Sequence, residues 1–368
     1  MYLEIEDLSV DLGEFHLKDI NLGMNEGEYV VFIGPTGSGK SVLLETIIGF
    51  YSPDKGTIKL NGKTINNIPP EDRGIGIVYQ DNVLFPNMDV YENIAYGAKK
   101  KFSEEEIEEK IMDISKFMKI DHILHRDVTT LSGGETQRTS IARALIVEPK
   151  ILLMDEPFSA LDVTTQAKLT TKIKQIGKEY KTTVLHVTHN FNDVWNLADR
   201  VGVMKDGKIH QLSSVQDVFS RPENNFVANF VGVQNIFEGK IIEIDSEKVI
   251  IELDNNTQIT SADIECIKKI DKSKSSIKTI LIAIRPENII FSNERFESSA
   301  RNQLKGEITE VVESGPTTLV NVNVNGNIFK GLLTKSSAEI LEVKKGKEIY
   351  MSFKSLNVNI LDSYKSIE

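Results

Sequence analysis

The chain is 368 residues long, 40% apolar and 26% charged, with a net charge of −11, the composition of an ordinary soluble globular protein with length enough for two domains. From Ile236 onward 18 Lys/Arg stand against 20 Asp/Glu, so this part carries −2 and the remainder −9; neither is basic, which argues against nucleic-acid binding. Cys266 is the single cysteine, excluding an internal disulfide and any multi-cysteine metal cage, and no apolar run approaches the ~20 residues of a membrane-spanning helix.

The opening segment from Met1 to Asp7 is acidic and lacks the apolar core of a signal peptide, so any membrane-embedded part is expected on another chain. Over the first ~230 residues apolar runs alternate with amphipathic stretches, the order of an α/β domain. Val30 to Ile33 predicts a short buried strand that stops at a Gly-rich turn. Ser41 to Phe50 reads as a helix, and Phe102 to Met118 as a charged helix capped by Ser103 ahead of Glu104, Glu105 and Glu106. Ile151 to Met154 and Thr183 to Val187 predict further buried strands. After Pro222 the strands become short and alternating, separated by Gly, Asn and Ser turns, as in small β-barrels. This half contains a repeat. Asn235-Ile236-Phe237-Glu238-Gly239 resembles Asn302-Gln303-Leu304-Lys305-Gly306, and the run from Ala283 through Arg285 to Phe291 resembles that from Ser352 through Lys354 to Ile360, at offsets of 67 and 69 residues. Two copies of one small β unit are expected, packed on each other because neither buries enough core alone.

Gly34-Pro35-Thr36-Gly37-Ser38-Gly39-Lys40-Ser41 matches the phosphate-loop pattern, after an apolar strand and at a helix start as the motif requires. Its backbone N–H groups can curl around an anion at the positive end of the helix. Lys40 would reach the β- and γ-phosphates of a nucleotide and Ser41 would ligate Mg²⁺. Ile151 to Pro157 is an apolar strand ending in two carboxylates: Asp155 can hold Mg²⁺ through water, and Glu156 can polarise the attacking water as general base. Leu131-Ser132-Gly133-Gly134-Glu135 precedes a helix expected to begin near Glu135 and forms a second anion-binding helix terminus. A second cradle makes sense if it closes over nucleotide bound to another subunit.

This set resembles the ATP-binding-cassette family, and the remaining motifs fall in order. The resemblance implies that Gln80 contacts Mg²⁺ and senses a transmembrane partner, that Ser159-Ala160-Leu161-Asp162 is the loop communicating across a dimer, and that His189 is the switch histidine on the γ-phosphate. Asn190 follows it where the family usually has Asp. His186 reads as structural, and Phe15, rather than Leu12, is the expected adenine-stacking residue. The implied assembly is a head-to-tail homodimer with two ATP molecules sandwiched between subunits, each touching Lys40, Ser41, Gln80, Glu156 and His189 of one chain and Ser132, Gly133 and Gly134 of the other. The region from Gln80 to Gly97 resembles the segment that receives a coupling helix from a permease. The expected fold class is therefore an α/β P-loop NTPase cassette over residues 1–232, with a helical subdomain near 84–150. An all-β, OB-like duplicated domain is expected to follow over 233–368, with lobes near 235–295 and 300–363.

A cassette followed by a duplicated β domain resembles the importer ATPases for maltose, spermidine, sulfate, iron and molybdate, and the last ~70 residues resemble a molybdate-binding β unit. The whole chain is similar to archaeal molybdate/tungstate importer ATPases whose appended domain senses internal oxyanion. Hydroxyls and cations suit a tetrahedral oxyanion, and Arg301, Ser337 and Lys354 are the expected pocket. The implied partners are two transmembrane permease subunits and an extracytoplasmic solute-binding protein, with this chain on the cytoplasmic face of the membrane. A nucleic-acid ATPase is the rival class. The span from Gly34 to Ser132 leaves no room for the long coiled coil of repair-type members, and the acidic C-terminal half speaks against an RNA module.

Overall fold

The structure is a computed structural model that describes residues 1–81, 83–159, 161–179, 181–264 and 279–361. The chain divides into two compact units at Val215/Gln216, so residues 216–232, expected with the cassette, group with the C-terminal unit.

In the first unit an antiparallel sheet runs in the order β2 (His16–Met24), β1 (Leu3–Asp11), β4 (Lys55–Leu60), β5 (Lys63–Thr64). A second, six-stranded sheet contains β3 (Tyr29–Ile33), β6 (Ile75–Val78), β7 (Ile151–Asp155), β8 (Thr183–Val187), β9 (Arg200–Lys205) and β10 (Lys208–Ser214), in the order β10-β9-β3-β8-β7-β6. Its pairings are parallel except for β9 with β10. Strands β3, β7 and β8 are buried at every position, which is why they read as continuous apolar runs rather than alternating ones. Helix α1 (Lys40–Ile48) contributes Leu43, Leu44 and Ile47 to one core shared with Leu3, Ile5 and Leu8 of the antiparallel sheet and Phe32, Leu153 and Leu185 of the parallel one. A helical region follows β6: α2 (Val90–Ala95), α3 (Glu104–Met118) and α4 (Gly133–Leu145). Ser103 caps α3 through a reciprocal capping box with Glu106. Helix α5 (Val163–Glu179) lies between β7 and β8 in sequence, and α6 (Phe191–Leu197) follows β8.

Helix α7 (Val215–Ser220) begins at the division, and the second unit continues with α8 (Asn225–Phe230) and two five-stranded sheets. The first has the order β13 (Thr257–Ser261), β12 (Val249–Leu253), β11 (Asn235–Ile244), β14 (Thr279–Ile284), β20 (Val358–Leu361). The second has the order β15 (Ile290–Ser292), β19 (Glu348–Phe353), β16 (Asn302–Ser314), β17 (Thr317–Val324), β18 (Asn327–Thr334), with α9 (Lys335–Ile340) after β18. The repeat is thus physical, but the lobes exchange their last strands. β15 pairs with β19, Ile290 opposite Ser352, and β20 pairs with β14, Leu281 opposite Leu361. A single apolar core, including Ile251, Ile282, Ile308, Phe329 and Phe353, spans both sheets.

The repeated residues do equivalent work. Asn235 accepts from Lys330 N–H at 2.6 Å and donates to Lys330 O at 2.8 Å. Asn302 accepts from Thr260 N–H at 2.7 Å and donates to Thr260 O at 2.9 Å. Each asparagine starts the first strand of its lobe and mimics a strand partner for the other lobe's third strand. At Gly239 and Gly306 an added Cβ would lie 2.5 Å from Ile251 and 2.6 Å from Val322, respectively, so both copies require glycine for close strand packing.

Candidate functional site

β3 ends at the Gly-rich loop, and the loop opens α1. Gly39 is the N-cap of α1 with φ 99°, a left-handed conformation that favours glycine. A Cβ there would also lie 2.6 Å from Phe15 Cζ. Phe15 therefore closes directly on the loop, whereas Leu12 does not reach the cleft. Lys40 Nζ donates to Gly34 O at 3.0 Å, Pro35 O at 3.0 Å and Ser38 Oγ at 3.2 Å. Burial pushes the Lys40 ammonium down, against the opposing pull of Glu156 and Asp155.

The cleft has a volume of about 430 Å³. It gathers Phe15, the loop from Thr36 through Gly37, Ser38, Gly39 and Lys40 to Ser41, and, from other strands, Gln80, Asp155, Glu156 and His189. The parallel sheet explains the convergence, since Lys40, Asp155 and His189 all lie at or beyond the carboxyl ends of parallel strands, where open α/β sheets bind ligands. Burial pushes the Asp155 carboxyl up, opposed by a hydrogen bond from Ser41. Glu156 has a φ of 47°, a strained value for a non-glycine residue. Its carboxylate accepts from His189 Nδ1 at 2.8 Å.

Gly34 and Pro35 touch Lys40 without lining the cleft, and Ser132, Gly133, Gly134 and Asp162 do not line it either. Helix α4 begins at Gly133, two residues earlier than expected, with Ser132 as N-cap in a capping box with Glu135. Asp162 caps the next helix start, accepting from Thr165 N–H at 3.0 Å; Ala160 lies outside the described residues, as does Cys266. Asn190, at the departure from the family pattern, accepts from Asn192 N–H and caps α6, work an aspartate would also do. His186 is fully buried, shares a 3.1 Å hydrogen bond with Tyr29 Oη and is pushed down by burial to about 3; it is a neutral core histidine. Past Gln80, the Arg143 guanidinium donates to Val83 O at 2.7 Å and lies over the Phe85 ring, while Val83 and Tyr96 are exposed.

Three residues had no motif to announce them. Thr188 Oγ1 lies 3.4 Å from Glu156 Oε2 and 3.1 Å from Asp193 Oδ2, and Gln166 Nε2 donates to Asp193 Oδ1 at 2.7 Å. Each is an ordinary polar side chain in sequence, and only the fold assembles them behind Glu156.

In the second unit, Arg301 and Lys354 flank the Asn302–Phe353 pair at one end of β16. Ser337 follows Thr334, which pairs with Thr317 beside Ser314 at the other end of the same strand. One chain does not bring these three residues together. Arg301 pairs with Glu247 at 3.7 Å, and Ser337 Oγ bonds Thr334 Oγ1 at 2.8 Å in the cap of α9.

The ABC transporter family profile matches residues 17–159 and the TOBE domain profile residues 298–360. The chain is 41% identical to a molybdate/tungstate import ATP-binding protein of Pyrococcus abyssi over 97% of this chain and 99% of that protein. It belongs to the ABC transporter ATP-binding family. Within that family it is also 36% identical to a spermidine/putrescine import ATP-binding protein of Clostridioides difficile, over 95% of each chain. A dimeric bacterial ABC transporter cassette superposes with a TM-score of 0.54 at 30% identity, covering 58% of this chain and 98% of that one; a post-hydrolysis form of that cassette holds ADP and Pi. The chain is accordingly an ABC-type ATPase that couples hydrolysis to transport, and no described helix is long and apolar enough to cross a membrane.

Proposed function

We propose that this chain is the ATPase subunit of a molybdate/tungstate importer and works as a homodimer on two permease subunits at the cytoplasmic face of the membrane, supplied by an extracytoplasmic binding protein. The observation that carries the catalytic reading is the convergence of Lys40, Ser41, Gln80, Asp155, Glu156 and His189 on one cleft beside Phe15. The solute reading rests on the Pyrococcus relative, similar across both units.

The donor set fits Mg²⁺. A hydroxyl, an amide and one carboxylate are hard oxygen or amide donors, and Mg²⁺ characteristically takes one or two carboxylates and completes its shell with phosphate oxygens and water. The ion would be held by Ser41, Gln80 and Asp155 and would neutralise phosphate charge. The chain's own residues do the rest. Phe15 offers a ring to the adenine. The loop N–H groups and Lys40 hold the phosphates, with Lys40 exchanging its carbonyl contacts for phosphate oxygens. Glu156 orients the attacking water and accepts its proton, and His189 orients Glu156 and reaches the γ-phosphate.

Ser132, Gly133, Gly134 and Asp162 lie outside the cleft of their own chain, which supports the reading that they close on nucleotide held by a second copy. The Val83–Tyr96 surface beyond Gln80 would receive the permease. Oxyanion sensing by the C-terminal unit is the second part of the proposal, and since Arg301 and Lys354 stand at the opposite end of β16 from Ser337, a pocket using all three needs two copies.

The test is uptake by the full transporter in vesicles. ATP-dependent accumulation of tungstate or molybdate, absent with sulfate, spermidine or ferric iron, is the expected result; uptake of one of those alternatives instead would replace the solute. Calorimetric titration of the full chain with tungstate tests the sensing, and no heat at millimolar ligand removes it.

A further inference from the structure

Behind the hydrolytic carboxylate runs a chain of side-chain contacts that the reading above does not use. The Thr188 hydroxyl accepts from Asn190 N–H at 3.1 Å, which leaves its single proton to donate. Two acceptors compete for that proton: Asp193 Oδ2 at 3.1 Å and Glu156 Oε2 at 3.4 Å. Asp193 is 3% exposed, and burial pushes its carboxyl up, opposed by hydrogen bonds from Gln166 and Thr188. A buried carboxylate is costly unless its lone pairs are satisfied; Gln166 satisfies Oδ1, and Oδ2 shares the single Thr188 proton with Glu156 Oε2 in a three-centre bond whose shorter arm is to Asp193. Gln166 sits in the first turns of α5, where its own N–H bonds Asp162 O at 2.8 Å. A continuous path therefore leads from the Ser159–Asp162 loop through Gln166, Asp193 and Thr188 to Glu156.

We infer that Asp193 is a positioning residue for hydrolysis: together with Gln166 it holds the Thr188 hydroxyl against Glu156, so that the placement of the hydrolytic carboxylate follows the position of α5 and of the loop that starts it. The inference rests on Glu156 being the general base. Two features distinguish it from simple core satisfaction. The Glu156 backbone is held at a strained φ of 47°, a conformation that persists only where the surroundings determine it. In addition, its two carboxylate oxygens have different partners, His189 on Oε1 and Thr188 on Oε2, so removal of either lets the group rotate. A carboxylate misplaced by a fraction of an ångström loses turnover and leaves binding intact, because the contact matters in the transition state rather than the ground state.

The test is steady-state ATP hydrolysis by the full-length chain, with the thermal midpoint recorded for every variant. Thr188→Val is expected to lower kcat about tenfold with KM for ATP within about twofold, and Thr188→Ser to return to within about threefold of the parent. Gln166→Leu, at a partly buried position, is expected to lower kcat several-fold without changing KM, with a lower thermal midpoint because Asp193 Oδ1 loses its donor. Asp193→Asn, whose amide can still accept from Thr188 while donating to a reoriented Gln166, is expected to retain most of the activity. Parental kcat in both Thr188→Val and Gln166→Leu overturns the inference, as does a loss that follows only KM and the thermal midpoint. Glu156→Gln separates the levels. If it is inactive while the other variants are normal, this inference alone falls; if it turns over normally, the general-base assignment falls and takes the inference with it.

Discussion

His189 Nδ1 stands 2.8 Å from Glu156 Oε1, joining the segment just beyond β8 to the residue that follows β7. In the proposed site this pair handles the attacking water, with the histidine largely exposed and the glutamate largely buried. Glu156→Gln keeps the shape and the hydrogen bond but cannot accept a proton. Turnover should fall by at least ~10²-fold while ATP still binds, as read by hydrolysis rate against equilibrium binding of labelled ATP. His189→Ala should lose turnover by about tenfold or more with similar retention of binding.

Asp155 gives an opposite-signed pair of effects. Burial raises its carboxyl pKa in the folded protein, so the folded state binds the proton more tightly than the unfolded chain does. The ionised form therefore costs stability at neutral pH, and the cost vanishes as pH falls through the folded pKa. Asp155→Asn should raise the thermal midpoint of the nucleotide-free protein at neutral pH, by an amount that shrinks in acid. The same variant should lose most of the stabilisation that Mg-ATP confers on the parent, since that gain scales with the logarithm of ligand over Kd. Differential scanning calorimetry with and without Mg-ATP reads both.

His186 sets an acid limit. Its folded pKa of about 3 lies below the ordinary value of 6.5. Stability due to this group is complete above pH 6.5 and is lost as the pH falls toward 3, with a slope of up to ~1.4 kcal/mol per pH unit. His186→Gln should be less stable at neutral pH, because it perturbs a buried contact with Tyr29, yet flatter with pH between 6.5 and 4. Urea unfolding across that range supplies the slope.

The lining of the cleft was legible because the proposed chemistry leaves little choice of residue. A backbone that must wrap phosphate requires Gly39, and a buried strand that must end in carboxylates gives the run from Ile151 to Glu156. Phe15 was legible only as the nearest aromatic; its packing against Gly39 is what places it in the cleft. In the C-terminal unit the repeat predicted two copies, and the matched asparagines Asn235 and Asn302 carry it. The exchange of β15 and β20 was not legible, because a short alternating strand has the same pattern whichever sheet it joins. The same limit applies to Arg301, Ser337 and Lys354: as residue types they suit an oxyanion, but strand register decides which of them meet. Thr188, Asp193 and Gln166 were invisible for a related reason, since their meeting depends on how α5 and α6 pack and on no local spacing.

A shared nucleotide site requires the Ser132 cradle to serve nucleotide held by Lys40 of another copy. Sedimentation of the Glu156→Gln protein with ATP measures this directly, alone and combined with Ser132→Arg. The single variant should shift from monomer to dimer on adding ATP, and the double variant should remain monomeric while still binding ATP. Dimerisation of the double variant to the same extent, or loss of its ATP binding as a monomer, would contradict the shared site.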